Sequence, residues 1–253
     1  MQSTNAGGAA AATSWDTTYE WRAVTLLGLG FGLVGLDRWI IASLLPFGMA
    51  ADLGLNVQDG GNVIGALGLA WGVFAIFSGR FADKIGHRKV LIPAILLFSL
   101  LSGLSGMTTG IMGLLVIRGL MGAMEGSYCP TSFTAVAAAS QPRRRGFNQG
   151  LQQSGFALLG LGLGPIIATQ LLRVVPSWHW VFWICAIPGF VVGALLYVVL
   201  REPRDTHGGA LIGATEQGGS WFSVLKSRNI VLGMLALFCA MSCVFVLSAL
   251  VPT

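Results

Sequence analysis

Apolar residues in this chain run in long blocks. They do not alternate with polar residues at the two-residue period of a strand, nor at the 3.6-residue period of a helix lying on a soluble core. Seven blocks, approximately 23–48, 61–79, 90–108, 111–135, 148–172, 178–200 and 229–250, reach the roughly 20 residues that a helix needs to cross a bilayer. The pattern therefore predicts an all-α, polytopic membrane protein with seven spans.

The segments outside the blocks divide the chain. Residues 1–21 are rich in Ala, Gly, Ser and Thr, include Asp16 and Glu20, and lack the basic stretch and short apolar core of a cleaved signal peptide. They read as a disordered tail. Residues 22–200 hold the first six spans. Residues 201–228, with Gly208, Gly209, Gly218 and Gly219, read as a linker whose last part, 220–228, is expected to form a short surface helix. Residues 229–253 hold span 7.

Composition agrees with the pattern. Of 253 residues 54% are hydrophobic and 10% charged, with a mean hydropathy of +0.75; soluble domains carry about 25% charged residues. The 36 glycines include Gly28-x-x-x-Gly32, Gly68-x-x-x-Gly72 and Gly160-x-x-x-Gly164, spacings that let membrane helices approach closely. The cysteines Cys129, Cys185, Cys239 and Cys243 all fall inside spans without metal-ligand spacing, so they read as buried small hydrophobes. No metal site or cofactor motif is indicated. Neither a convergent Ser/His/Asp or Cys/His set nor a phosphate-cradling loop appears, so an enzyme is not expected.

Basic residues sort by loop. Arg22 lies before span 1; Arg80, Lys84, Arg88 and Lys89 lie between spans 2 and 3; Arg143, Arg144 and Arg145 lie between spans 4 and 5; and Arg201, Arg204, Lys226 and Arg228 lie between spans 6 and 7. The opposite loops hold only Arg173. The positive-inside rule then places the N-terminus in the cytoplasm, in a cell (inner or plasma) membrane. It also explains the pI of about 9.4 without nucleic acid.

Two arginines remain, and both lie at depth. Arg38 follows Asp37 in span 1, and Arg118 precedes Glu125 by seven residues in span 4. Each such charge costs about 2.5–3.5 kcal/mol at a helix centre before pairing, so it normally faces a bundle interior or a water-filled cavity and marks a functional site. Asp37 and Arg38 point about 100° apart, whereas Arg118 and Glu125 share a face roughly 10 Å apart along the axis. The two acids balance the two bases when ionised; protonating either one leaves a positive site suited to an anion. That is the logic of coupled proton and anion binding.

The segment Gly79-Arg80-Phe81-Ala82-Asp83-Lys84-Ile85-Gly86-His87-Arg88-Lys89 resembles the G-x-x-x-D-[RK]-x-G-x-[RK]-[RK] loop of the major facilitator superfamily, with His87 where many members have Arg. Gly79 and Gly86 are expected to permit the turn and close approach, and Asp83 to dock on a helix end or an Arg. Arg118-Gly119-x-x-Gly122 resembles the superfamily's helix-4 motif, and the wider R-x6-E-G-x3-P pattern ending at Pro130 is similar to the anion:cation symporter family, which also carries an Asp-Arg pair in helix 1. Trp178-His179-Trp180-Val181-Phe182 fits the superfamily as well.

The resemblance, covering about residues 22–253, implies a six-helix N-terminal bundle of two inverted three-helix repeats plus the first helix of a C-terminal bundle. It implies alternating-access transport of a small organic anion, such as a sugar or aromatic acid, with a proton, by a monomer when full length. Arg38, Arg118 and Gln153 would bind substrate, Gln153 being one of three neighbouring polar groups with Gln152 and Ser154. Asp37 and Glu125 would couple protons, with Asp37 pairing to Arg118. Gly79, Asp83, Gly86 and Arg88 would form a gating loop that latches the two halves. Full-length members have twelve helices, so a chain ending at Thr253 is expected to be a fragment or truncated product.

Three other readings stand beside it. A drug/proton antiporter is suggested by Gly160-x-x-x-Gly164-Pro165, but the following Gly-Gly of that motif is missing. A non-transporting membrane binding protein has only the short length in its favour. A seven-helix receptor or retinal protein is opposed by the charge bias, which places the N-terminus inside, and by the lack of a Lys in span 7.

Overall fold

The computed structural model describes residues 15–202 and 228–250, all of whose regular structure is helical. Residues 1–14, most of the expected linker with all but the last residue of the stretch 220–228 expected to form a surface helix, and residues 251–253 lie outside the described residues. The chain divides into two units, Met1–Thr206 and His207–Thr253.

In the first unit span 1 is α1 (Thr17–Leu44). It starts inside the expected tail because the Asp16 carboxylate caps it, accepting from the Tyr19 N–H at 3.0 Å. Pro46 and Gly48, with φ at +100°, bend the chain out of the helix, and a single turn, Ala50–Asp52, follows. Span 2 is α2 (Val57–Ile85), opened by a reciprocal cap in which Asn56 and Asp59 each accept the other's N–H. Spans 3 and 4 are α3 (His87–Ser105) and α4 (Ile111–Ala139). Span 5 consists of α5 (Arg145–Phe156) and α6 (Gly164–Val174), joined by a π-helical stretch, Ala157–Leu163. Span 6 is α7 (Trp178–Val199).

Five stretches of the first unit are long and apolar enough to cross a membrane, and α4 is not among them. It is long enough at 29 residues, but Arg118 and Glu125 dilute its apolar run. In the second unit α8 (Arg228–Leu250) corresponds to span 7.

The contacts of the first unit carry an internal symmetry. Span 1 packs against span 5 as span 4 packs against span 2, span 4 against span 3 as span 1 against span 6, and spans 1 and 4, like spans 3 and 6, against each other. Exchanging spans 1, 2, 3 with 4, 5, 6 maps these contacts onto one another, as two three-helix repeats require, although a smaller span 4–span 5 contact has no counterpart of similar size between spans 1 and 2. The charged helices α1 and α4 therefore occupy the centre, with Leu27, Ile40, Leu44, Leu114 and Met121 wholly buried.

Small residues bring the central helices to their neighbours. A Cβ on Gly32 would meet the Gly155 carbonyl at 3.1 Å, and one on Gly160 would meet Gly35 at 2.9 Å. The expected Gly68-x-x-x-Gly72 face differs: among the described residues nothing lies within 4 Å of either glycine's missing side chain. The close α2–α4 approach is made instead from α4, where Gly122 and Gly126 lie against the backbone at Leu67 and Trp71. The cysteines are also less uniform than expected. Cys129 is buried and Cys185 half-buried, whereas Cys239 and Cys243 are exposed on α8.

Candidate functional site

The four intramembrane charges converge on the α1–α4 contact. Because Asp37 and Arg38 point in different directions from α1, each meets its own partner. Arg118 Nη1 donates to Asp37 Oδ2 at 2.6 Å, and Arg38 Nη2 donates to Glu125 Oε2 at 2.9 Å. Seven residues of α4 separate the two α4 members, so one helix face serves both pairs. Ser102 of α3 donates to the second oxygen of Asp37 at 2.5 Å. Buried charges are tolerated when paired and hydrogen-bonded in this way.

The two pairs differ in access. Arg118 and Asp37 have 1% and 4% of their side-chain surface exposed, and Glu125 has none; Arg38 keeps 19%. Arg38 also lies over the Trp71 ring, 5.5 Å from its centroid, while the Trp71 indole N–H donates to Cys129 Sγ at 3.4 Å. Among the described residues Glu125 Oε1 and Arg38 Nε are buried without a hydrogen-bond partner, and so are Arg118 Nε and Nη2. The Arg38–Glu125 pair is thus set apart as the open half of the site by the exposure of Arg38. Arg118, expected both to touch substrate and to pair with Asp37, is enclosed and engaged with Asp37.

On α5 the three neighbouring polar groups face three ways. Gln152 is buried and donates to Ser132 Oγ at 2.7 Å, Gln153 is half-buried, and Ser154 is exposed and bonded to the Leu151 carbonyl at 2.7 Å.

The expected gating loop is nearly all helix. α2 continues through Gly79 and Asp83 to Ile85, leaving Gly86 as the single connecting residue. Gly86 has φ at +102°, and a Cβ there would meet the Glu202 carboxylate at 2.8 Å. Gly79 has open space beside it, so the close-approach role belongs to Gly86 alone. Asp83 is exposed on α2, and His87, expected in an open loop, is buried as the first residue of α3. Arg88 bonds Glu202 through its backbone N–H at 3.0 Å, reaches the Tyr197 carbonyl with its side chain, and lies over the Tyr197 ring at 4.9 Å. Glu202 was not singled out by sequence, because it follows span 6 among ordinary charged residues.

A second buried polar cluster was also missed. Glu20 is wholly buried and accepts from Asn148 Nδ2 at 2.8 Å and from the Gln141 N–H at 3.2 Å; Asn148 also donates to Ser140 Oγ at 2.7 Å. It ties the start of α1 to the α4–α5 connection. Low complexity around Glu20 hid it.

A sequence profile of the Major Facilitator Superfamily matches residues 27–253. The chain is 29% identical over 172 residues to the Hexuronate transporter of Bacillus subtilis, covering 68% of this chain and 40% of that protein. It is 29% identical over 186 residues to the 4-hydroxybenzoate transporter PcaK of Pseudomonas aeruginosa, covering 73% and 40%. To Multidrug resistance protein 3 of Bacillus subtilis it is 28% identical over 197 residues, covering 76% and 37%. Among solved structures, the inward-open xylose transporter XylE from E. coli superposes with a TM-score of 0.61 at 17% identity, covering 78% of this chain and 55% of that one. The chain thus spans less than half the length of these three relatives.

Proposed function

The chain belongs to the Major Facilitator Superfamily, a multi-pass membrane transporter family rather than an enzyme family, and on that premise we propose that it forms the N-terminal part of a proton-coupled symporter of small organic anions. The observation that carries this reading is the Arg38–Glu125 pair, whose arginine alone among the four intramembrane charges is appreciably exposed. Glu125 and an incoming carboxylate compete for the same guanidinium. A proton on Glu125 releases Arg38, the anion takes the freed donors, and each ligand lowers the cost of burying the other.

Asp37 and Arg118 serve as the enclosed partner pair. Ser102 holds Asp37 in place, and Gln153 supplies a polar group beside the path. Names of relatives support the substrate class: two of those above carry a hexuronate and a hydroxybenzoate in their names. The same reading puts the N-terminus and Arg88 on the cytoplasmic side of the cell membrane, with Gly79, Asp83, Gly86 and Arg88 forming the gating region, in a protein that works as a monomer.

Thermal-shift screening of organic acids against the full-length protein, in detergent at acidic and neutral pH, tests the anion assignment. Arg38→Ala is expected to remove the stabilisation given by any acid that binds wild type; stabilisation unchanged in that variant moves the anion site elsewhere. Kinship with a multidrug resistance protein favours a second reading, a drug/proton antiporter. Lipophilic cations that shift the melting temperature where acids do not would select it.

A further inference from the structure

The Trp178–Phe182 stretch, which the transport reading leaves unused, reaches the enclosed ion pair. Phe182 is wholly buried, and the Arg118 guanidinium lies over its ring, 5.6 Å from Cζ to the centroid. Arg118 commits Nη1 to Asp37, while its Nε and Nη2 are buried without a hydrogen-bond partner among the described residues. A guanidinium with unmet donors in apolar surroundings is attracted to the negative face of an aromatic ring. Phe182 in turn meets the buried Trp178 edge-on, at 88° with centroids 6.1 Å apart. Trp178 donates its indole N–H to Asp52 Oδ2 at 2.8 Å, and Asp52 closes the turn that follows α1. One line of contacts therefore runs from the end of the helix that carries Asp37, through α7, back to Arg118.

We propose that Phe182, held edge-on by Trp178, is a positioning residue for Arg118: its ring lies under the guanidinium carbon and keeps Arg118 against Asp37. The inference rests on the transport reading for its effect on activity. Because Arg38 takes the anion, the effect falls on turnover rather than on substrate affinity.

Two measurements decide it. In detergent, Phe182→Leu lowers the melting temperature, and the loss shrinks by at least half in a background where the pair is removed as a unit (Arg118→Met with Asp37→Asn). A ring that merely fills space gives equal losses in both backgrounds. In proteoliposomes of the full-length protein, Phe182→Leu and Phe182→Met lower the maximal rate of organic-acid exchange about tenfold with KM within about twofold, while Phe182→Tyr, which keeps the ring, stays near wild type. If the charge-removed background does not fold, the comparison of ring with aliphatic variants decides alone. Equal melting losses, or Leu and Tyr behaving alike, overturn the proposal. Wild-type protein that exchanges no organic acid overturns the transport reading instead, and the melting comparison then still settles the role of Phe182.

Discussion

At the residue scale the site is two ion pairs with different exposure, and each pair predicts a different failure. Arg118 and Asp37 are enclosed. Removing one partner leaves an uncompensated buried charge, so Arg118→Leu should destabilise the protein by about 3–5 kcal/mol, and adding Asp37→Leu should recover most of the loss. Thermal unfolding of the single and double variants measures this; a double variant as unstable as the single would show that the pair does not account for the cost. The four charges were legible in the sequence because ionisable residues are rare within apolar blocks. Their partnering was only half legible. Asp37 with Arg118 followed from family resemblance, whereas Arg38 with Glu125, the Trp71 ring under Arg38 and the Ser102 bond depend on which neighbours face the α1–α4 contact. Glu20 was hidden because a charge beside a Gly/Ala-rich tail looks like any solvated residue.

Among the elements, the central helices are held by glycine contacts and by their ends. Gly122→Val would drive a branched side chain into the α2 backbone at Leu67 and against Ala70 Cβ, which is 3.0 Å from the position of its Cβ. A loss of roughly 1–3 kcal/mol is expected from such overpacking, while Gly68→Ala, facing open space in the first unit, should be close to neutral. Gly86→Ala strains a left-handed turn and crowds Glu202, so it should disturb the α2–α3 corner more than Gly79→Ala does; limited proteolysis at residues 85–88 reports the difference. The start of α1 is pH-sensitive. The Tyr19 N–H, bonded to Asp16, holds that carboxyl below its ordinary value. A group depressed in the folded state contributes fully above its ordinary value and loses the contribution as the pH falls through the lowered one. Hydrogen exchange at the Tyr19 amide should therefore accelerate, relative to its intrinsic rate, at strongly acidic pH, and Asp16→Asn should flatten that dependence. Span positions were legible from the apolar blocks, but helix ends were not: polar caps such as Asp16, Asn56 and Asp59 let the helices run past the greasy residues that announce them.

For the whole molecule, the contact symmetry of spans 1–3 with spans 4–6 places the charged helices at the centre of the first unit, where the proposed transport function needs them. The block pattern was enough to read a polytopic helical protein, and the motif spacing enough to read its superfamily. That the Gly68 and Gly72 face meets open space among the described residues was beyond reach, since small-residue spacing marks a surface without naming what lies on it. The central claim is that Glu125 couples a proton to an anion held by Arg38. It is tested most directly by comparing concentrative uptake with counterflow exchange of one organic acid, in proteoliposomes of full-length wild type and Glu125→Gln. Glu125→Gln is expected to abolish accumulation driven by a proton gradient while exchange continues; accumulation that survives in Glu125→Gln would rule out Glu125 as the coupling acid.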